Sequence, residues 1–123
     1  MEADTKLNII IADDNRNFLK AFRFTIEETL GDRLNAVYEA SNGLECLVIA
    51  EKYPINLIFI DINMPIMDGI EAIKKISVLS KEIKVIAVSF HKEQEYIKQA
   101  IEAGARSYIV KENISRDVLL DIF

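Results

Sequence analysis

The sequence predicts an α/β domain: a doubly wound, five-stranded parallel sheet with five helices packed on its two faces. Three observations predict it. Short apolar runs alternate five times with stretches of helical periodicity, the pattern of βα units joined by right-handed crossovers. The runs are nearly continuous rather than alternating, which suits strands covered on both faces. The chain has 123 residues, half of them apolar, the size of one domain with one substantial core.

Leu7-Asn8-Ile9-Ile10-Ile11-Ala12 reads as the first strand. It stops at Asp13-Asp14-Asn15, residue types that favour turns and helix N-caps. A helix follows, with Phe18, Phe22, Ile26 and Leu30 spaced by four along one face. Gly31-Asp32 closes it as a C-cap glycine would. Residues 35–40 read as the second strand, Ser41-Asn42-Gly43 as a turn, and residues 44–52 as a short helix that ends near Pro54. Leu57-Ile58-Phe59-Ile60 is the plainest strand, stopped by Asp61. A loop with Met64-Pro65 and Asp68-Gly69 leads to a third helix over 70–79. The fourth strand covers 84–88 and stops at Ser89. The fourth helix covers 93–103, with Ile97, Ala100 and Ile101 expected inward and Gly104 as its cap. Ser107-Tyr108-Ile109-Val110 is the fifth strand, stopped at Lys111, and Ser115 caps a last helix of about two turns.

Composition narrows the function. Twenty Asp and Glu against fifteen Lys and Arg leave a net charge of −5, the wrong sign for a chain that grips nucleic acid itself. No apolar run approaches the roughly 18 residues of a membrane span, and no charged-then-apolar leader marks a secretion signal. The only cysteine, Cys46, has no partner for an internal disulfide, and one histidine, His91, makes no Cys/His zinc site. A reducing, cytoplasmic setting is the simplest fit. No linker or boundary interrupts the chain, so 1–123 is expected to be one domain.

In parallel sheets, ligands bind beyond the carboxyl ends of the strands where strand order reverses. Here those ends carry chemistry. The first strand ends in Asp13 and Asp14, the third in Asp61, the fourth in Ser89 and the fifth in Lys111. With strand order 2-1-3-4-5, the first and third strands are neighbours and three carboxylates converge. Clustered carboxylates repel unless a cation intervenes. Mg²⁺ suits such a site, because it takes oxygen ligands, keeps waters and pairs one or two carboxylates with a phosphate. A carboxylate beside it can act as a nucleophile toward a phosphoryl group. Lys111 would supply a mobile point charge to one phosphoryl oxygen and Ser89 a hydroxyl to another, and phosphoryl transfer is mostly positioning and charge stabilisation.

Taken singly, each residue has a duller reading. Asp13 and Asp14 could cap the first helix, Asp61 could be a turn residue, and Ser89 a loop hydroxyl. Lys111 could be a solvated lysine, Tyr108 an ordinary strand residue, Cys46 a packed helix residue, and His91 a lone loop histidine without a ligand partner. The conjunction at four separate strand ends, taken in order, selects the site.

The residues Ile11-Ala12-Asp13-Asp14, Ala40-Ser41-Asn42-Gly43, Asp61-Ile62-Asn63-Met64-Pro65-Ile66-Met67-Asp68-Gly69, Val88-Ser89, Ala103-Gly104-Ala105 and Tyr108-Ile109-Val110-Lys111 carry a resemblance. Over essentially its whole length the chain resembles the receiver domain of bacterial two-component response regulators. The resemblance implies a flavodoxin-like fold with Asp61 as phosphoacceptor. It implies Asp14 as a direct Mg²⁺ ligand, Asp13 acting largely through water, and Asn63 offering its backbone carbonyl. Ser89 and Lys111 would contact the phosphoryl group. Tyr108 would be the aromatic switch, outward when inactive and inward when active. The phosphoryl group would come from a sensor histidine kinase, in a phosphorelay that controls an output, most simply transcription. A second copy of the chain is a further candidate partner, and DNA would be reached only through an output domain beyond this sequence. The domain would assist its own phosphorylation and dephosphorylation rather than turn over a substrate. The stretch from Ser107 to Glu112 is similar to receivers joined to LuxR/NarL-type helix-turn-helix domains.

The chain departs from the pattern in two places. Glu112 follows Lys111 where proline is usual, which leaves open whether that bond is cis or trans and how far the lysine reaches. Phe90 follows Ser89 where a small residue is common, and is expected to crowd the site and prolong the phosphorylated state. Three other classes compete. A Mg²⁺-dependent aspartyl-phosphate phosphatase of haloacid dehalogenase type would place Asp-x-Asp on the first strand. Here Asp61 is on the third, with Asn63 two residues along. A docking module that has lost phosphorylation would not need every chemical residue retained. A nucleotide-binding domain lacks its glycine-rich loop after the first strand.

Overall fold

Five strands alternate with five helices, as the apolar runs and helical stripes require. The strands are β1 (Leu7–Ala12), β2 (Leu34–Ala40), β3 (Leu57–Ile60), β4 (Lys84–Ser89) and β5 (Ser107–Val110). The helices are α1 (Arg16–Leu30), α2 (Gly43–Lys52), α3 (Gly69–Leu79), α4 (Gln94–Ala103) and α5 (Arg116–Ile122). The computed structural model describes residues 5–123. Residues 1–4, the start of the expected domain, lie outside the described residues.

All four strand pairs are parallel, in the order β2-β1-β3-β4-β5. Successive strand side chains point to opposite faces, and both faces are covered here, so both sets are apolar. Ile9, Ile11, Phe59, Ile86 and Ile109 pack with Leu19, Phe22 and Ile26 of α1 and Leu119 of α5. Phe22 meets Phe59 edge-on at 5.0 Å between ring centroids, a favoured aromatic geometry. Ile10, Ile58, Ile60, Val85 and Ala87 pack on the other face with Cys46 of α2, Ile73 and Ile76 of α3 and Ala100 of α4.

Helix starts follow local chemistry. Asn15, Asn42, Asp68 and Ser115 each accept a hydrogen bond from the backbone N–H three residues on, worth about 1 kcal/mol apiece. Gly31 ends α1 with φ +52°, a conformation that L side chains rarely adopt.

Element boundaries match the expected ones within a residue, but two helix faces differ. The buried stripe of α1 is Leu19, Phe22, Ile26 and Leu30, with Phe18 only half-buried at its edge. On α4, Ile101 was expected inward but is 45% exposed, and Ile97 is half-buried. The inward stripe there runs through Tyr96, Ala100 and Ala103. Ser77 of α3 donates its hydroxyl to the Ala103 carbonyl at 3.2 Å, so α4 meets α3 along the face of Ala100 and Ala103, and Ile101, turned about 100° from Ala100, falls outside it. Among the described residues, no helix is long and apolar enough to cross a membrane.

The sheet sets the acids in place. The Asp13 N–H donates to Ala40 O at 3.0 Å and the Asp61 N–H to Ala12 O at 2.9 Å, so the ladder runs one residue past β1 and β3. The loop after β3 folds back on that end, where the Gly69 N–H donates to Ile62 O at 3.0 Å. A Cβ on Gly69 would strike the Asp61 carbonyl oxygen and the Ile62 Cα, both backbone atoms. Gly69→Ala should therefore cost about 2–3 kcal/mol, read as a lower urea midpoint at unchanged slope. An unchanged midpoint would show that the loop does not lie against the end of β3.

Candidate functional site

Strand alternation decides which side of the sheet each end residue serves. Asp13 continues the parity of Ile9 and Ile11, Asp61 that of Leu57 and Phe59, and Lys111 that of Ile109, all on the α1/α5 side. Ser89 continues Val85 and Ala87 on the α4 side, where Tyr108 also packs. The crest of the sheet thus separates into an acid-and-lysine half and a hydroxyl half.

In the first half, Asp13 is 1% exposed and Asp61 8%, while Asp14 is exposed. One carboxylate oxygen from each lies within 4.8 Å of the others. The Lys111 side chain, only 5% exposed, places Nζ 2.5 Å from Asp13 Oδ2 and 3.4 Å from Asp61 Oδ2. Asp13 Oδ2 is buried, and its partner is the Lys111 ammonium, so the pair is ionic. Asp13 Oδ1 accepts from the Asn15 N–H at 2.8 Å, and Asp61 Oδ1 from the Asn63 N–H at 3.4 Å. Burial first, and the Asp13 charge second, push the Asp61 carboxyl above the usual range; Lys111 and the Asn63 N–H pull partly the other way.

This donor set fits a hard divalent cation. It is all oxygen, and its three carboxylates outnumber the one ammonium beside them, so it carries surplus negative charge.

In the second half, the Ser89 hydroxyl (1% exposed) accepts from the His91 N–H at 3.2 Å, and the Tyr108 hydroxyl donates to the His91 carbonyl at 2.8 Å. Burial pushes the Tyr108 hydroxyl above its ordinary pKa. Tyr108 and Ser89 are therefore tied to one stretch of loop.

The question left open at Glu112 is answered: no peptide bond among the described residues is cis. The chain turns after β5 in a 3-10 turn, Lys111–Asn113, and Lys111 still reaches both acids. Phe90 lies at the mouth of the site, 62% exposed, with its ring centroid 4.9 Å from Lys111 Nζ. Cys46 is buried in α2 as expected, its thiol pushed up to about 12 by burial, so it is chemically quiet.

His91 is not the isolated loop residue that the sequence suggests. Its Nε2 lies 2.6 Å from the Asn63 amide nitrogen, its ring stacks on Tyr96 with centroids 4.0 Å apart, and its Nδ1 is 3.7 Å from Glu93. Periodicity carries no information about loop residues. The only signal was its place two residues after Ser89, beyond a strand whose end faces the site.

The raised pKa of Asp61 has a sign. The unfolded carboxyl titrates near 3.9 and the folded one higher, so between them the folded state binds more protons. The Asp61 charge therefore opposes folding above the folded pKa, and the penalty vanishes below the unfolded one. In chelator at neutral pH, Asp61→Asn should be more stable than the parent by about 1 kcal/mol, or roughly 4 °C in Tm. The gap should close as the pH is lowered toward 4. A variant less stable than the parent at neutral pH would contradict this.

Residues 9–123 match the family described as the response regulator receiver domain. The chain is 36% identical over 106 residues to the uncharacterized transcriptional regulatory protein YhcZ of Bacillus subtilis, covering 86% of the chain and 49% of that protein. It thus spans about half that relative's length. A chain of the CheX-CheY-BeF3-Mg+2 complex from Borrelia burgdorferi superimposes with a TM-score of 0.82 at 28% identity, over 95% of this chain and 86% of that one. A DNA-binding response regulator of the LuxR family from Staphylococcus aureus gives 0.83 at 30% identity, over 94% and 93%. Sequence match, strand order and the acid crest agree: the chain belongs to the response regulator receiver domain family.

Proposed function

We propose that the domain accepts a phosphoryl group on Asp61 from a phosphohistidine of a sensor histidine kinase and relays the change through Ser89 and Tyr108. One observation carries this reading. A buried lysine, Lys111, sits between two buried carboxylates at the ends of neighbouring strands. That is a costly arrangement for a purely structural role.

The Asp61 carboxylate attacks phosphorus as the bond to the donor nitrogen breaks, and the departing imidazole takes up a proton. Lys111 turns from the acids to a phosphoryl oxygen, and Ser89 donates its hydroxyl hydrogen to another. Mg²⁺, held by Asp13, Asp14, Asp61 and the backbone carbonyl of Asn63, would offset charge on the phosphoryl oxygens when bound. The Borrelia complex, whose description includes both BeF3 and Mg, supports that choice of ion.

Switching follows from the second half of the site. The phosphoryl group adds acceptor oxygens and charge, and favours the arrangement in which Ser89 reaches them. The His91 N–H now bonded to Ser89, and the Tyr108 hydroxyl bonded to the His91 carbonyl, move with it. The face formed by α4, β5 and α5 then presents a different shape to an output or to a second copy of the chain. A full switch from 1:99 to 99:1 needs about 5.5 kcal/mol of bias.

The match covers 49% of YhcZ, and a LuxR-family regulator is among the similar structures; both support the reading that the domain works in the cytoplasm and passes its signal to a helix-turn-helix output of LuxR/NarL type. DNA contact belongs to that output, because this domain carries a net charge of −5. The domain would turn over nothing except its own acyl phosphate. The phosphatase reading has no support in the geometry, since position 63 offers an amide held against His91 rather than an acid.

Incubation with acetyl phosphate and Mg²⁺ should add the mass of one phosphoryl group to the parent and none to Asp61→Asn, with chelator abolishing the gain. A parent chain that stays unmodified, or steady turnover of simple phosphoesters, would overturn the reading.

A further inference from the structure

We propose that Phe18 and Phe90 are positioning residues for Lys111, their rings holding its ammonium over the acids while its oxygen partner changes. The inference rests on the phosphoacceptor reading of Asp61. Lys111 Nζ lies 4.3 Å from the Phe18 ring centroid and 4.9 Å from that of Phe90, both inside the roughly 6 Å reach of a cation–π contact.

The two rings are anchored independently of the lysine. Phe18 sits in the first turn of α1, its N–H donating to Asn15 Oδ1 at 3.0 Å and its ring 5.3 Å from that of Phe22. Phe90 opens the loop after β4. That loop is tied to β5 by the Tyr108 hydroxyl on the His91 carbonyl, and to the turn beyond β5 by Lys92 Nζ on Glu112 Oε1 at 2.7 Å. Three segments therefore converge on one ammonium. Burial does not account for the place of Phe90, whose ring is 62% exposed.

The carboxylates alone position Lys111 poorly. A lysine is a point charge on a flexible stem, and this one lies nearer Asp13 than Asp61, 2.5 Å against 3.4 Å. Once Asp61 carries a phosphoryl group, the ammonium must reorient without withdrawing into solvent. Ring faces attract a cation without demanding a particular N–H direction. They fix where Nζ sits and leave its hydrogens free to follow the oxygens.

The test uses Phe18→Leu, Phe90→Leu and the double variant, with Phe18→Tyr and Phe90→Tyr as rescues. Leucine keeps apolar bulk, so any shielding of the site from water is retained while the π face is lost. The first readout is the NMR shift of the Lys111 ε-methylene protons in the unphosphorylated, metal-free protein. Ring currents should move them upfield in the parent, less so in each leucine variant, and again in the tyrosine variants. The second is the rate of Asp61 phosphorylation by acetyl phosphate, expected to fall about two- to fivefold per ring lost and to recover with tyrosine. Unmoved ε-methylene shifts, or leucine variants phosphorylated at the parent's rate, would overturn the proposal. If the parent itself takes no phosphoryl group, the phosphoacceptor reading fails, and the ε-methylene shifts still decide whether the rings hold the lysine. Phe90→Leu, at an exposed position, keeps the test alive should Phe18→Leu fail to fold.

Discussion

The ammonium of Lys111, set between Asp13 and Asp61, is the interaction on which the rest of the structure turns. A sheet apolar on both faces brings β1 and β3 side by side and then ends each in a carboxylate. Neither acid can retreat, because each backbone N–H is bonded into the adjoining strand end. Two like charges held in a poorly solvated place need a counter-charge. A lysine from the end of β5, two strands away from β3, supplies it. The β4 strand between them carries the serine.

That arrangement is balanced rather than relaxed. Burial and the neighbouring Asp13 still hold the Asp61 carboxyl above its usual range despite the lysine, and one ammonium answers three clustered carboxylates. A site in that condition responds to any change in local charge. The response has a route: the loop after β4 is bonded to Ser89 through the His91 N–H and to Tyr108 through the His91 carbonyl. In the switch proposed for this domain, a shift of the serine would thereby carry the tyrosine and the α4–β5 surface above it.

Much of this was legible in the residues, for physical reasons. Strands covered on both faces appear as unbroken apolar runs, so β3 matches its expected span to the residue and the other strands within one. The acids, serine and lysine were legible only together, as four strand ends in order, since each alone has an ordinary structural use. On α4 Ala100 was placed inward correctly, but Ile101 was misplaced because hydrophobicity favours it, whereas α4 meets α3 along the face of Ala100 and Ala103. Phe90 stood out as a large residue beside Ser89, but the contacts of His91 with Asn63 and of Phe18 and Phe90 with Lys111 escaped, because they join distant segments that neither periodicity nor residue type encodes.

If charge balance at the crest governs the site, a divalent cation and the lysine should do interchangeable work in stabilising the fold. Thermal unfolding of Lys111→Met, in chelator and in saturating Mg²⁺, measures this. In chelator the variant should fall about 3 kcal/mol below the parent, and Mg²⁺ should restore most of that loss while raising the parent far less. A variant as stable as the parent in chelator, or one whose deficit is the same with and without Mg²⁺, would contradict it.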